Sequence, residues 1–423
     1  MILLVFFVVG LLLALPVCAV LGGATLFTLI LDPTLPPTVV PQTLFSGTDQ
    51  YTLIAVLCFI FAGNIMEKVG MTDDILEFSN ALVGCISGGL GAVVIMACMV
   101  FAALSGSGLA CTAAIGAITI NGMAKAGYKR EFAGAITAGG GALGVMIPPS
   151  NPMIIYGVIA GVSIGKLFLA GVVPGLLLGC SMILYIWIVG RVKGLAAANT
   201  FSAARLVRAF WQGKWALAAP VIILSGIYSG ITTPTEAADI AVVYALFVGL
   251  FIKRTLTLKG IIQAINSTTL TVGVMLAMVG FAVGFGRLIT LYQFPQQAGE
   301  FILSVSSNPH IILLVLVGFL LFAGTWMETI SMIIILTPVL LPVITIMGVD
   351  PILFGILLVL GCEMGFLTPP MGGNLFVAAK LADVSLERIS IYALPFVGIL
   401  LFWAVVLIFF PDIALWLPRM GAV

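Results

Sequence analysis

The sequence predicts an all-α polytopic membrane protein built as an inverted repeat, with two re-entrant helical hairpins and two broken helices. Three observations lead there. Hydrophobic residues fill 62% of the 423 positions and charged residues only 8%, against about 25% charged in a soluble domain. So few charges cannot give a globule of this size a water-compatible shell, so the bilayer must be the solvent. Apolar stretches approaching the length that crosses a bilayer as a helix follow one another along the chain. Prolines and glycines also recur at one fixed offset. The net charge of +1 offers no global attraction to nucleic acid.

Taken in order, residues 2–14 are apolar and carry no Lys or Arg. A secretory signal needs a basic start, so this stretch reads as a retained membrane segment. Further apolar runs lie at 17–31, 51–67, 88–104, 109–122, 131–160, 167–190, 215–231, 236–252, 261–286, 309–324, 330–347, 351–381 and 388–410. Residues 32–50, with Asp32, four prolines and Asp49, read as an extra-membrane loop. Residues 191–214 are basic and carry apolar residues at helical spacing over 201–212, the pattern of an amphipathic helix on the membrane surface. The Lys/Arg bias puts loops 125–130, 191–214, 253–259 and 380–388 in the cytoplasm. Loops 32–50, 161–165, 290–308 and 348–350 go to the other side.

Sliding the chain on itself by 369 − 148 = 221 residues lays Pro148-Pro149 on Pro369-Pro370. The same shift pairs Gly127 with Gly348, Gly134 with Gly355, Gly140 with Gly361 and Gly144 with Gly365. Such coincidences mark shared backbone needs. Loop 125–130 is basic while its counterpart around 346–351 is not, so the halves are of opposite orientation, a common plan of secondary transporters. One membrane domain, 1–423, thus holds repeats at 51–190 (hairpin 88–122, broken helix 131–160) and 272–410 (hairpin 309–347, broken helix 351–381).

Each Pro-Pro pair removes two backbone donors and bars the preceding residue from helical geometry. Unwound backbone survives in a bilayer only where it lines a cavity or is covered by protein. The freed carbonyls, with side-chain oxygens of Asn151, Thr368 and Asn374, are hard ligands of the kind Na⁺ favours. Beside each broken helix, two short apolar helices flank a polar tip, Ser105-Gly106-Ser107-Gly108 in one half and 324–329 in the other. A tip ends one helix and begins the next, so it offers carbonyls to a cation and free N–H groups to a carboxylate.

Intramembrane acids are costly. Glu328, at the second tip, is read as functional. Glu363 reads equally as a buried structural partner or an ion-site neighbour. Glu236 and Asp239 fit stabilisation of a helix start after Pro234. Arg287 could meet an anion but reads first as an interfacial anchor. None of the seven cysteines has metal-ligand spacing. The run Gly139–Gly144 matches G-x-G-x-x-G but has no strand before it, and no other nucleotide motif occurs, so no ATP chemistry is expected. His310 is the only histidine, which leaves a hydrolytic Ser/His site without material.

The stretches SGSGLACTAAIGA (105–117), MAKAGYKREFAGAITA (123–138), GVMIPPSNPMIIYGV (144–158), SIGKLFLAGVVPGLLLG (163–179), IYSGITTPTEAADIAVVYAL (227–246) and TPPMGGNLFVA (368–378) resemble the large membrane subunit of tripartite ATP-independent periplasmic (TRAP) transporters. The resemblance implies an elevator-type, Na⁺-driven importer of small organic anions such as C4-dicarboxylates or sialic acid, in the bacterial inner membrane. It implies two partners, a small four-helix membrane subunit and a periplasmic substrate-binding protein. It puts Na⁺ ligation on Ser105, Ser107, Pro148 and Asn151 in the first half, and on Thr325, Glu328, Gly365, Thr368 and Asn374 in the second. The anion would lie between the tips, near Ser105, Gly106, Ser107, Gly108, Asn151, Thr329 and Asn374. A related Na⁺/carboxylate carrier working without a binding protein is the competing reading.

Overall fold

The computed structural model describes residues 2–13, 15–32, 36, 38–294, 297 and 308–420. The expected loop at 290–308 lies largely outside them. Among the described residues the regular structure is helical throughout. Six helices are long and apolar enough to cross a bilayer, or seven if Val40–Thr48 and Leu53–Lys68, bent by 53° at their junction, form one span. With charges this sparse, that makes the chain a multi-pass membrane protein.

The repeat read from prolines and glycines reappears in the helix boundaries. The shift of 221 residues carries Gly108–Lys125 onto Thr329–Ile346 end for end. It carries Arg130–Met146 onto Pro351–Phe366, and Asn151–Ala160 onto Gly373–Ala382, each to within one residue. Between the halves of each broken helix the chain leaves helical geometry where the two prolines remove their N–H groups; Ile147, just before Pro148, is extended.

The broken helices and the hairpins interlock across the repeat. Gly373–Ala382 of the second half packs on Gly108–Lys125 and Arg130–Met146 of the first. Arg130–Met146 is buried along almost its whole length. Around this core stands a frame in which Leu53–Lys68 packs on Leu258–Leu291 and Pro234–Phe247. Leu53–Lys68 also touches the core at Asn151–Ala160, and Leu258–Leu291 touches it at Thr329–Ile346.

Close approach explains one pair of glycines. A Cβ on Gly144 would lie 2.9 Å from the Ser107 carbonyl oxygen and 3.0 Å from Gly108 Cα, while one on Gly365 would collide with the backbone of Gly324. Each broken helix therefore presses its glycine onto its own hairpin tip.

The structure corrects two readings and adds one helix. The stretch 32–50 is not all loop, because Val39–Thr48 is helical and packs on Leu258–Leu291; Pro41 falls in its first turn, where no intrahelical donor is lost. The segment 191–214 is not one surface helix. Its first residues finish Ile164–Lys193, and Ala203–Tyr228 then runs unbroken from the amphipathic stretch into the next apolar run, past an internal Pro220. A further helix, Met71–Val83, stands where Asp73, Asp74 and Glu77 had hidden any membrane signal. It is clamped by Arg205–Glu77 at 2.9 Å and Lys253–Asp74 at 2.5 Å. Glu236 behaves as expected, closing a capping box with Thr233.

Candidate functional site

The first tip is shaped by capping. Gly106 ends Gly89–Ser105 at φ 58°, a left-handed backbone that favours glycine. A Cβ there would also stand 2.8 Å from the Pro149 carbonyl oxygen. Ser107 begins the return helix, its hydroxyl accepting from the Ala110 N–H at 3.4 Å. Ser150 does the same for the second half of the broken helix, accepting from the Met153 N–H at 3.4 Å.

Asn151 ties tip to broken helix. Its backbone N–H donates to the Gly106 carbonyl at 3.3 Å and its Nδ2 donates to the Ser105 carbonyl at 3.4 Å. Its Oδ1 is buried with no donor facing it among the described residues. A buried acceptor without a partner costs on the order of 1–3 kcal/mol, a cost that a ligand bound at this oxygen would relieve. A small hard cation fits it, with the Ser105 hydroxyl and the local carbonyls, which keep a second lone pair, as further oxygen donors. Among the described residues no three His, Cys, Asp or Glu side chains gather for a transition metal.

The second tip follows the same backbone scheme with charged parts. Glu328 caps Thr329–Ile346, its Oε2 accepting from the Ser331 N–H at 3.1 Å and the Ser331 hydroxyl at 3.3 Å. The Thr325 carbonyl accepts from the Met371 N–H at 3.0 Å and so joins tip to unwound segment. Behind the tip lies Glu363, 1% exposed. It accepts from the Thr329 hydroxyl at 2.8 Å and from Asn374 Nδ2 at 3.1 Å, while Asn374 Oδ1 accepts from Thr112 at 3.4 Å. This chain joins the second tip, both halves of the second broken helix and the first hairpin.

Both tips and both broken helices meet at one cavity of about 230 Å³. Of the residues expected from sequence, Ser105, Gly106, Ser107, Gly108, Asn151, Glu328 and Thr329 line it. Asn374 is fully buried one step back, reaching the cavity through Glu363. Thr325 and Thr368 stand off the lining, their hydroxyls turned to the carbonyls of Phe322 and Met364 at 2.7 and 2.8 Å. Pro148 and Gly365 are likewise outside the lining, Gly365 at the contact with Gly324.

The cavity has a second wall that sequence reading missed. Asn64 and Glu67 on Leu53–Lys68, with Ser267 and Thr271 on Leu258–Leu291, face the tips. Asn64 Nδ2 donates to Thr268 at 2.9 Å and links the two frame helices. Their signal was present as polar residues spaced three or four apart inside apolar runs. Glu363 also lines the cavity, and its bonds to Thr329 and Asn374 give it the first of the two roles read from sequence, that of a buried structural partner.

Comparison with known proteins bears on this geometry. The family model of the DctM component of the tripartite ATP-independent periplasmic transporter matches residues 4–413. The isethionate TRAP transporter permease protein DctMQ of Oleidesulfovibrio alaskensis is 39% identical over 397 residues, covering 94% of this chain. The chain spans 62% of that relative's length. The C4-dicarboxylate TRAP transporter large permease protein DctM of Pseudomonas aeruginosa is 41% identical over 377 residues, covering 89% of this chain and 88% of the relative. Among solved structures, the YdaH transporter of Alcanivorax borkumensis superposes with a TM-score of 0.63 at 15% identity, over 96% of this chain and 98% of that one. That likeness is one of fold.

Proposed function

The chain belongs to the DctM family of TRAP transporter large permeases, and from that premise we propose that it imports a small organic anion by Na⁺-coupled elevator movement. The interlocked hairpins and broken helices are the moving body, and the frame helices are the fixed one. The hairpins are re-entrant, and the two halves lie inverted about an axis in the membrane plane. The chain works in the bacterial inner membrane with a small four-helix subunit and a periplasmic binding protein. The substrate is a carboxylate of the C4-dicarboxylate or sialic acid kind or, on the pattern of the isethionate relative, a sulfonate.

One observation carries this reading. The buried, unpartnered Oδ1 of Asn151 belongs to a residue lining a cavity where both tips and both broken helices converge. A cation there completes the first tip's oxygen shell and adds positive charge beside helix N-termini that already favour an anion. Ion and substrate binding then reinforce each other. By linkage each raises the other's affinity by the same factor.

Uptake into proteoliposomes holding the chain and its small subunit tests the reading, with a panel of labelled carboxylates and sulfonates. Uptake of at least one that needs both an inward Na⁺ gradient and the binding protein is the expected result. Gradient-driven uptake without the binding protein favours the stand-alone carrier. Uptake indifferent to Na⁺ overturns the coupling.

A further inference from the structure

A second cavity, of about 460 Å³, lies at the other end of the frame helix Leu258–Leu291, where Val39–Thr48 packs on it. Its polar lining includes Ser46, Gln50, Arg287 and Thr290. The repeat relates it to the first. The shift of 221 residues carries Ser46 onto Ser267 and Gln50 onto Thr271, which line the cavity at the tips. The fold has therefore built the same polar wall twice, once at each end of the frame.

The two walls differ in charge. On the frame side of the cavity at the tips the one charged lining residue is Glu67, while Glu328 and Glu363 belong to the second tip and the second broken helix. The only charged lining residue of the second cavity is Arg287, which is exposed and which no acidic group pairs with among the described residues. The acid-lined end also lies against the basic loop 253–259, where Lys253 reaches Asp74 at 2.5 Å and Thr255 donates to the Val69 carbonyl at 3.2 Å. On the Lys/Arg bias that end is cytoplasmic, and Arg287 faces outward.

We propose that the Arg287 cavity is the receiving site for the organic carboxylate on the outer side, with Arg287 as its cation and Ser46, Gln50 and Thr290 as neutral hydrogen-bonding groups. At the inner end the frame offers Glu67 in place of Arg287, which makes it the side of release. Low-dielectric walls focus the field of a single charge, so the frame attracts the anion carried at the tips at its outer end and repels it at its inner end. The direction assigned here rests on the transport reading. The charge preference of each cavity does not.

The test uses a cysteine-free background of the assembled transporter carrying Thr290→Cys or Thr271→Cys. Impermeant thiol reagents of opposite charge, a sulfonatoethyl and a trimethylammonium-ethyl methanethiosulfonate, are applied from either face. At Thr290→Cys, labelled from outside, added Arg287→Gln should cut the relative rate of the anionic reagent about three- to tenfold, and Arg287→Lys should retain it. At Thr271→Cys, labelled from inside, Glu67→Gln should lower the relative rate of the cationic reagent. A rate ratio at Thr290→Cys indifferent to Arg287→Gln, or no labelling there from outside, overturns the proposal. Labelled succinate separates the two failures. Uptake with a KM that Arg287→Gln leaves unchanged sinks the receiving site and spares transport. The expected labelling ratios in a protein that takes up no member of the carboxylate and sulfonate panel sink transport and spare the charge preference of the cavity.

Discussion

Ser107 and Glu328 hold the same place in the two halves. Each caps the helix leaving its tip by accepting from the N–H three residues on, at 3.4 Å from Ala110 and 3.1 Å from Ser331. One is a neutral hydroxyl, the other a carboxylate. The contrast extends around them. Ala142 stands at the first-half place of Glu363, and Gly372 stands at the second-half place of Asn151. The first half leaves a buried acceptor open, whereas the acids of the second accept from Thr329, Asn374 and Ser331. Duplication has kept the backbone plan and let the charge diverge. A helix break needs only proline and a fitting glycine, while each tip is free to recruit its own oxygens.

The sharpest test of that divergence is Glu363→Ala, which strands the Thr329 and Asn374 donors in a buried site. It should cost about 3 kcal/mol, read from unfolding of the purified protein in detergent. The first-half counterpart, Ala142→Gly, should cost about 1 kcal/mol. Equal losses would mean that the second-half network adds nothing. The shared backbone plan is tested by Gly144→Ala and Gly365→Ala. Each forces a Cβ against backbone of its own tip and should cost about 1–3 kcal/mol, with similar values in the two halves. A large effect in only one would break the equivalence.

Asn151→Ala removes an acceptor that has no protein partner and one donor, Nδ2 to the Ser105 carbonyl. Stability should therefore fall by no more than about 1 kcal/mol, while the sodium concentration for half-maximal uptake rises about tenfold, or about 1.4 kcal/mol. Thr368→Ala should move it less, since that hydroxyl is turned to Met364. Unchanged sodium titrations in both would remove the cation from this place. The smallest effect is expected at the caps. Ser107→Ala should cost about 1 kcal/mol, and Glu328→Gln less, because the amide oxygen can still accept from Ser331.

Much of the fold was legible because membrane helices announce themselves by composition and because Pro-Pro and Gly punctuate the backbone locally. The broken helices and tips came from that punctuation. The helices Val39–Thr48 and Met71–Val83 were not legible: four prolines spoke for a loop in one stretch, and three acids spoke against the bilayer in the other. Packing against Leu258–Leu291 and ion pairs to Arg205 and Lys253 decided them. At the site, the polar tips were visible in sequence, but Thr368 and Thr325 looked as available as Asn151 until their hydroxyls were seen turned to backbone carbonyls.

By itself the sequence determined that the chain lives in lipid, that it is two copies of one backbone plan, and where each copy must unwind. These follow from residue-local physics, which needs no partner: too few charges to face water, no N–H on proline, no Cβ on glycine. Only the tertiary structure decided which oxygens are spent on the protein and which remain open, that Glu363 bridges three elements, and that the frame helices lend Asn64, Glu67, Ser267 and Thr271 to the tips. Those are relations between residues as many as 262 positions apart, as between Thr112 and Asn374. No local rule carries them, because a hydrogen bond is fixed by distance in space.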